Sequence, residues 1–133
     1  GDDGYQAVAD AGYVQMLEED WATTQGAWTD AGGAPGEAEE GVSGEVVISG
    51  SSTVEPISSL VAESFSGANP DVSISVDGPG TGDGFELFCN GETDISDASR
   101  PIEDDEIAAC EENGIEFIEL QIALDGLSVL TAA

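Results

Sequence analysis

The sequence predicts an α/β fold: a mainly parallel sheet with helices on both faces, and three observations carry that reading. From Glu45 onward, short β-branched or alternating runs trade places with amphipathic stretches, in the order strand, helix, strand, helix, strand, helix, strand. A length of 133 residues allows at most one ordinary domain, and 40% hydrophobic residues suffice for a core. Eighteen glycines with only 6% aromatic residues point to short elements joined by many turns.

Residues 1–44 differ from the rest and read as an acidic N-terminal extension or linker. Tyr5, Val8, Val14, Leu17 and Trp21 fall roughly on one helical face, so one helix is expected from about Tyr5 to Thr24, weakened by Gly12. Gly32-Gly33-Ala34-Pro35-Gly36 and the glutamates after it read as an acidic linker. The simplest role for this segment is a spacer or tether, with Trp21 and Trp28 as candidates to dock on a partner.

Glu45-Val46-Val47-Ile48 is the first strand, bounded by Gly44 and Gly50. Ile57, Leu60, Val61 and Phe65 then recur at helical spacing, so a helix is expected to open at Ser52 or Thr53. Either hydroxyl can cap it, Glu55 lies three residues after Ser52 as in a capping box, and Pro56 falls in the first turn. The helix is expected to end near Gly67. Val72, Ile74 and Val76 alternate with polar residues as a second strand. The loop Asp77–Gly84 empties into a short helix carrying Phe85, Phe88 and Cys89, closed by Asn90-Gly91. Thr93–Ala98 is a third strand leading to Ser99-Arg100-Pro101. A helix over about Asp104–Asn113 has acids in its first turn and Gly114 just past its end. Phe117–Leu124 is expected as a fourth strand with Ile118, Leu120, Ile122 and Leu124 on one face, followed by a turn or bend at Asp125-Gly126 before Leu127–Leu130.

Charge narrows the partners. Twenty-nine acidic residues against one basic residue and no histidine give a net charge of −28. Polyanions such as nucleic acid and anionic lipid are repelled by that field. An excess of this size without lysine also fits adaptation to high salt, where the Debye length falls to roughly 3 Å at 1 M. No run of 18 apolar residues exists, so no membrane span is expected. The start at Gly1, without methionine or leader, predicts a processed or trimmed chain and leaves room for a lipid tether upstream of residue 1. Cys89 and Cys110 are too few for a zinc site without histidine. They are expected to form a disulfide if the chain is exported, and to remain two buried thiols otherwise.

A strand that ends in small hydroxyl residues at a helix start exposes unpaired backbone N–H groups, and the helix dipole adds partial positive charge. Ser51, Ser52 and Thr53 therefore read as an anion site or, more plainly, as a helix cap. Sheets of this class place ligands at the carboxyl edge, where Gly80-Thr81-Gly82 and Ser99-Arg100 also fall. Arg100 is the only basic side chain, and a guanidinium can grip an oxyanion bidentately; its alternative is a structural ion pair with one of the many acids. Enzymatic readings lack parts. There is no histidine base, no lysine for a Ser-Lys pair and no G-x-x-x-x-G-K-[ST] loop, and Glu103–Glu106 reads as a solvated helix face rather than a metal site.

Taken together, Gly50-Ser51-Ser52-Thr53-Val54-Glu55-Pro56-Ile57, Gly80-Thr81-Gly82-Asp83-Gly84-Phe85 and Asp94-Ile95-Ser96-Asp97-Ala98-Ser99-Arg100-Pro101-Ile102 resemble the three phosphate loops of the phosphate-binding subunit of phosphate ABC transporters, a periplasmic-binding-protein fold. Asp125-Gly126-Leu127-Ser128-Val129 is similar to the strand approaching that family's interdomain hinge. The resemblance runs from Glu45 to about Thr131, 87 of 133 residues.

It implies a two-domain fold of which residues 45–133 form part of the first domain, ending near the hinge and holding half of the site. It implies inorganic phosphate as ligand, a membrane permease as partner, an extracytoplasmic location, and no cofactor, metal or catalysis. Ser51, Ser52, Thr53, Gly80, Thr81, Gly82, Ser99 and Arg100 are the expected phosphate donors. Many relatives carry an aspartate where Arg100 stands, and it accepts the proton of hydrogen phosphate; here the acceptor is expected at Asp83 or Asp125. Sulfate, molybdate or another oxyanion is the nearest alternative ligand, and a ligand-free interaction protein on the same fold is the next.

Overall fold

The computed structural model describes residues 2–33 and 42–126, which divide into two units. Residues 42–119 hold the sheet. Strands β1 (Gly44–Gly50), β2 (Val72–Asp77) and β3 (Ile95–Asp97) pair in the order β2-β1-β3, all parallel. The β-branched run lies in the central strand, whose burial deepens toward Ile48, Ser49 and Gly50. In the edge strand β2 the expected alternation is realised: Val72, Ile74 and Val76 are half-buried while Ser73, Ser75 and Asp77 are exposed.

Three helices belong to this unit: α3 (Glu55–Ala68), α4 (Thr81–Cys89) and α5 (Asp104–Glu112). Successive strand residues face opposite sides, so Ser96 and Asp97 report which helix lies where. A Cβ on Gly84 of α4 would come within 3.0 Å of the Ser96 hydroxyl, while Asp97 accepts a hydrogen bond from Ser58 of α3 at 2.9 Å. Helices thus cover both faces, α3 through buried Ile57 and Ala62, α4 through buried Phe85 and Cys89. The Cys89–Cys110 disulfide fastens α4 to α5, which decides between the two states left open for these thiols. Phe88 meets Phe117 edge to face at 6.4 Å between centroids.

The other unit contains α1 (Asp2–Asp10), α2 (Glu18–Asp30) and residues 120–126. The single helix expected over Tyr5–Thr24 is therefore corrected to two. Gly12 adopts φ +84°, and the N–H groups of Gly12 and Tyr13 turn back to the carbonyls of Ala9 and Val8, each at 3.0 Å, which closes α1. Ala7, Val8 and Met16 are buried. Trp28 lies against Gly33, where an added Cβ would meet the indole ring.

The expected fourth strand is also corrected. Residues 115–123 carry no strand, and the one pairing near its end is an isolated antiparallel bridge, Val14 with Leu124, closed by two 3.1 Å bonds. Alternation supplies a face but not a partner, and Ile118 and Ile122 stand 42% and 39% exposed with no ladder beside them among the described residues. The expected run at Leu127–Leu130 and most of the acidic linker lie outside the described residues.

Candidate anion site

The three hydroxyl and glycine loops meet at the carboxyl edge of the sheet because β1, β2 and β3 are parallel neighbours, so each chain leaves on the same side. Gly50 ends β1 at φ +147°, a conformation suited to glycine, and a Cβ there would strike the Asp97 carbonyl. That close approach lets Ser51 N–H donate to Asp97 O at 2.8 Å.

Ser51 is then the hub of the turn. Its carbonyl accepts from Val54 and Glu55 N–H at 3.0 and 2.9 Å, and its buried hydroxyl accepts from Thr53 N–H at 3.2 Å. The helix opening expected at Ser52 or Thr53 is thus moved to Glu55, and neither hydroxyl caps it. Ser51 takes up the free amides, while Ser52 is exposed and Thr53 half-buried at the loop mouth.

The second loop is pinned to the first. Gly80 N–H donates to Gly50 O at 2.8 Å, and Gly78 abuts Ser52 and the Glu55 carboxylate. α4 begins at Thr81, earlier than the apolar residues alone suggested, and its first main-chain bond runs from Gly84 N–H to Gly80 O at 2.9 Å. The N–H groups of Thr81, Gly82 and Asp83 precede that ladder, as the first amides of a helix do.

The third loop is tied to the second by side chains. Thr81 Oγ1 accepts from Ser99 N–H at 3.2 Å and shares a hydrogen bond with Ser99 Oγ at 3.1 Å. All three loops therefore adjoin, as the anion reading requires.

Arg100 has a more specific setting than a lone surface cation. Its Nη1 and Nη2 donate to the two carboxylate oxygens of Glu106 at 2.8 and 2.7 Å, Nη1 also donates to Pro101 O at 3.1 Å, and the guanidinium lies 5.3 Å from the centroid of buried Phe85. Those bonds hold the Arg100 proton more tightly than usual and pull the Glu106 carboxyl below its ordinary value. The ion-pair alternative for Arg100 is thus realised, and it leaves part of the fork for other use.

Of the two expected proton acceptors, Asp83 stands exposed in the first turn of α4. Asp125 is exposed and belongs to the other unit.

Two residues of the site escaped sequence reasoning. Asp97, only 6% exposed, ends β3: its Oδ1 accepts from Ser58 Oγ at 2.9 Å, its Oδ2 is buried without a partner, and its carbonyl anchors Ser51. Burial pushes the Asp97 carboxyl up from its ordinary value, the Ser58 bond opposes that, and the Glu55 charge adds to the rise. The signal for Asp97 was its place as the last residue of a short strand. Glu106, the partner of Arg100, also accepts from Glu103 N–H at 2.9 Å. Its spacing to Glu103 is that of a capping pair. The groove lined by Ser59, Ala62, Glu63, Ser66, Ile74 and Val76 includes no residue of the three loops.

A family model described as a PBP superfamily domain matches residues 35–132, most of the chain. The chain belongs to this family. The PBP domain is similar to Protein SphX of Synechococcus elongatus, 52% identical over 85 residues that make up 64% of this chain and 25% of the relative. It is similar to the phosphate-binding protein PstS of Staphylococcus saprophyticus at 46% identity over 98 residues, 73% of this chain and 31% of that one. Among solved structures it matches a possible phosphate binding protein from Planctomyces limnophilus with a TM-score of 0.55 and 48% identity, over 56% of this chain and 26% of that one. The chain spans about a quarter of the length of the first curated relatives it matches.

Proposed function

We propose that this chain supplies the phosphate-holding loops of an ABC-transporter substrate-binding protein, which captures inorganic phosphate outside the cytoplasm and delivers it to a membrane permease. The observation that carries the reading is the junction at Thr81, where one hydroxyl joins two loops through Ser99 beside the sole basic side chain of the chain. Relatives and a structural neighbour named for phosphate support the same ligand.

Ser51 and Gly80 shape the loops through their own bonds, Gly80 N–H to Gly50 O among them, and Ser52, Thr53, Thr81, Gly82, Ser99 and Arg100 supply the hydroxyl, remaining N–H and guanidinium donors to an oxyanion. These three loops contribute one half of the site. The chemistry proposed for these donors is capture of an anion rather than its conversion.

Calorimetric titration of the full-length protein with phosphate, and then with sulfate and molybdate, tests the reading. Saturable phosphate binding that the other two do not displace is expected. Preference for sulfate or molybdate would reassign the ligand, and heat from none of the three would leave an interaction protein on this fold.

A further inference from the structure

We propose that Glu106 is a positioning residue for the anion site, fixing Arg100 so that the Nη1/Nη2 edge of its guanidinium is committed to the protein and the adjoining Nε/Nη2 edge to the anion. The inference rests on the phosphate reading above. A guanidinium has five N–H groups, and their arrangement matters. Glu106 engages the end-on pair, one N–H each from Nη1 and Nη2, and Pro101 O takes the second N–H of Nη1. What remains is Nε–H with the outer N–H of Nη2. These two are parallel, form the side-on fork suited to an oxyanion, and have no partner among the described residues.

The support under this arrangement is itself held. Glu106 is anchored by Glu103 N–H at 2.9 Å at the start of α5, and buried Phe85 of α4 backs the guanidinium. α4 is also the helix that carries Thr81 at its first position, and it is bonded to α5 through Cys89–Cys110. The side chain of Arg100, which is otherwise long and freely rotating, is thus ordered before an anion arrives, and binding need not order it again. A carboxylate that merely competed with the anion would occupy the fork the anion needs. Glu106 occupies the other one. Its negative charge offsets part of the attraction of Arg100, so what it contributes is placement.

The test is a double-mutant cycle in the full-length protein, with phosphate affinity read by calorimetry and melting temperature measured without phosphate. Glu106→Ala is expected to weaken phosphate binding about tenfold, the scale of one side chain that must be immobilised on binding, and to have no further effect in an Arg100→Ala background. Glu106→Gln, which keeps the shape and one acceptor, is expected to show a smaller loss with the same dependence on Arg100, and it serves if the alanine variant does not fold. A lower melting temperature with unchanged affinity would show a structural clamp and overturn the proposal. Tighter binding by Glu106→Ala would show a competitor and overturn it equally. Wild-type protein that binds no phosphate would overturn the phosphate reading and this inference with it, whereas the first two results would leave that reading standing.

Discussion

At the residue scale, two acids near the loops are shifted in opposite directions from their ordinary values. The Asp97 carboxyl is raised by burial, so its protonated form stabilises the fold fully below the unfolded value of about 3.9, and that contribution is lost as pH rises through the folded value. Asp97→Asn never ionises. Urea denaturation at pH 4 and pH 7 is therefore expected to show the variant gaining on the wild type as pH rises; an unchanged difference would mean that Asp97 is not destabilised by its charge. Glu106 runs the other way, since Arg100 holds its carboxyl low and the pair's contribution is lost as pH falls through that lowered value. Thr81 belongs to this scale as well. Its hydroxyl serves Ser99 and, in the proposed site, the anion, so Thr81→Ala is expected to weaken phosphate binding about 10–100-fold, the worth of one hydrogen bond to a charged group, while Thr81→Ser keeps most of the affinity.

At the element scale, the site depends on how α4 is seated. Gly84 lies so close to β1 that a Cβ would meet Gly50 Cα and the Ser49 carbonyl, both backbone and unable to swing aside. Gly84→Ala is expected to cost about 1–3 kcal/mol and to shift Thr81 away from Ser99, seen as a lower melting temperature together with weaker phosphate binding. The far end of α4 is held by the Cys89–Cys110 disulfide across 21 residues. Loop-closure entropy puts its contribution at about 3 kcal/mol, so denaturation with and without reductant is expected to differ by that order.

Much of this was legible beforehand. Alternation in Val72–Asp77, the run ending at Ile48 and the acids before Ile107 located β2, β1 and α5 because each pattern matches a local period. Residues 117–124 show the same alternation without becoming a strand, because a ladder needs a neighbour that local pattern cannot supply.

At the scale of the whole molecule, a net charge of −28 opposes both compaction and the approach of phosphate. The Debye length is about 8 Å at physiological ionic strength and about 3 Å at 1 M, so salt removes most of that repulsion. We propose adaptation to high salt: the melting temperature is expected to rise steeply as KCl increases from 0.1 toward about 2 M, where repulsion is screened to within a few ångströms. A flat response would exclude it. The local donors of the three loops must work against this field, which makes their number and their fixed placement matter more than in a neutral protein.

By itself the sequence determined the alternation of elements, the three loops and the presence of a single guanidinium, because these are properties of neighbours along the chain. Only the tertiary structure decided that Arg100 is shared with Glu106, that Asp97 lies beneath Ser51, and that the helix after β1 opens at Glu55. Those depend on which side chains from separate elements come within hydrogen-bonding distance. Parallel pairing of β2, β1 and β3 sets those distances, and no local period encodes it.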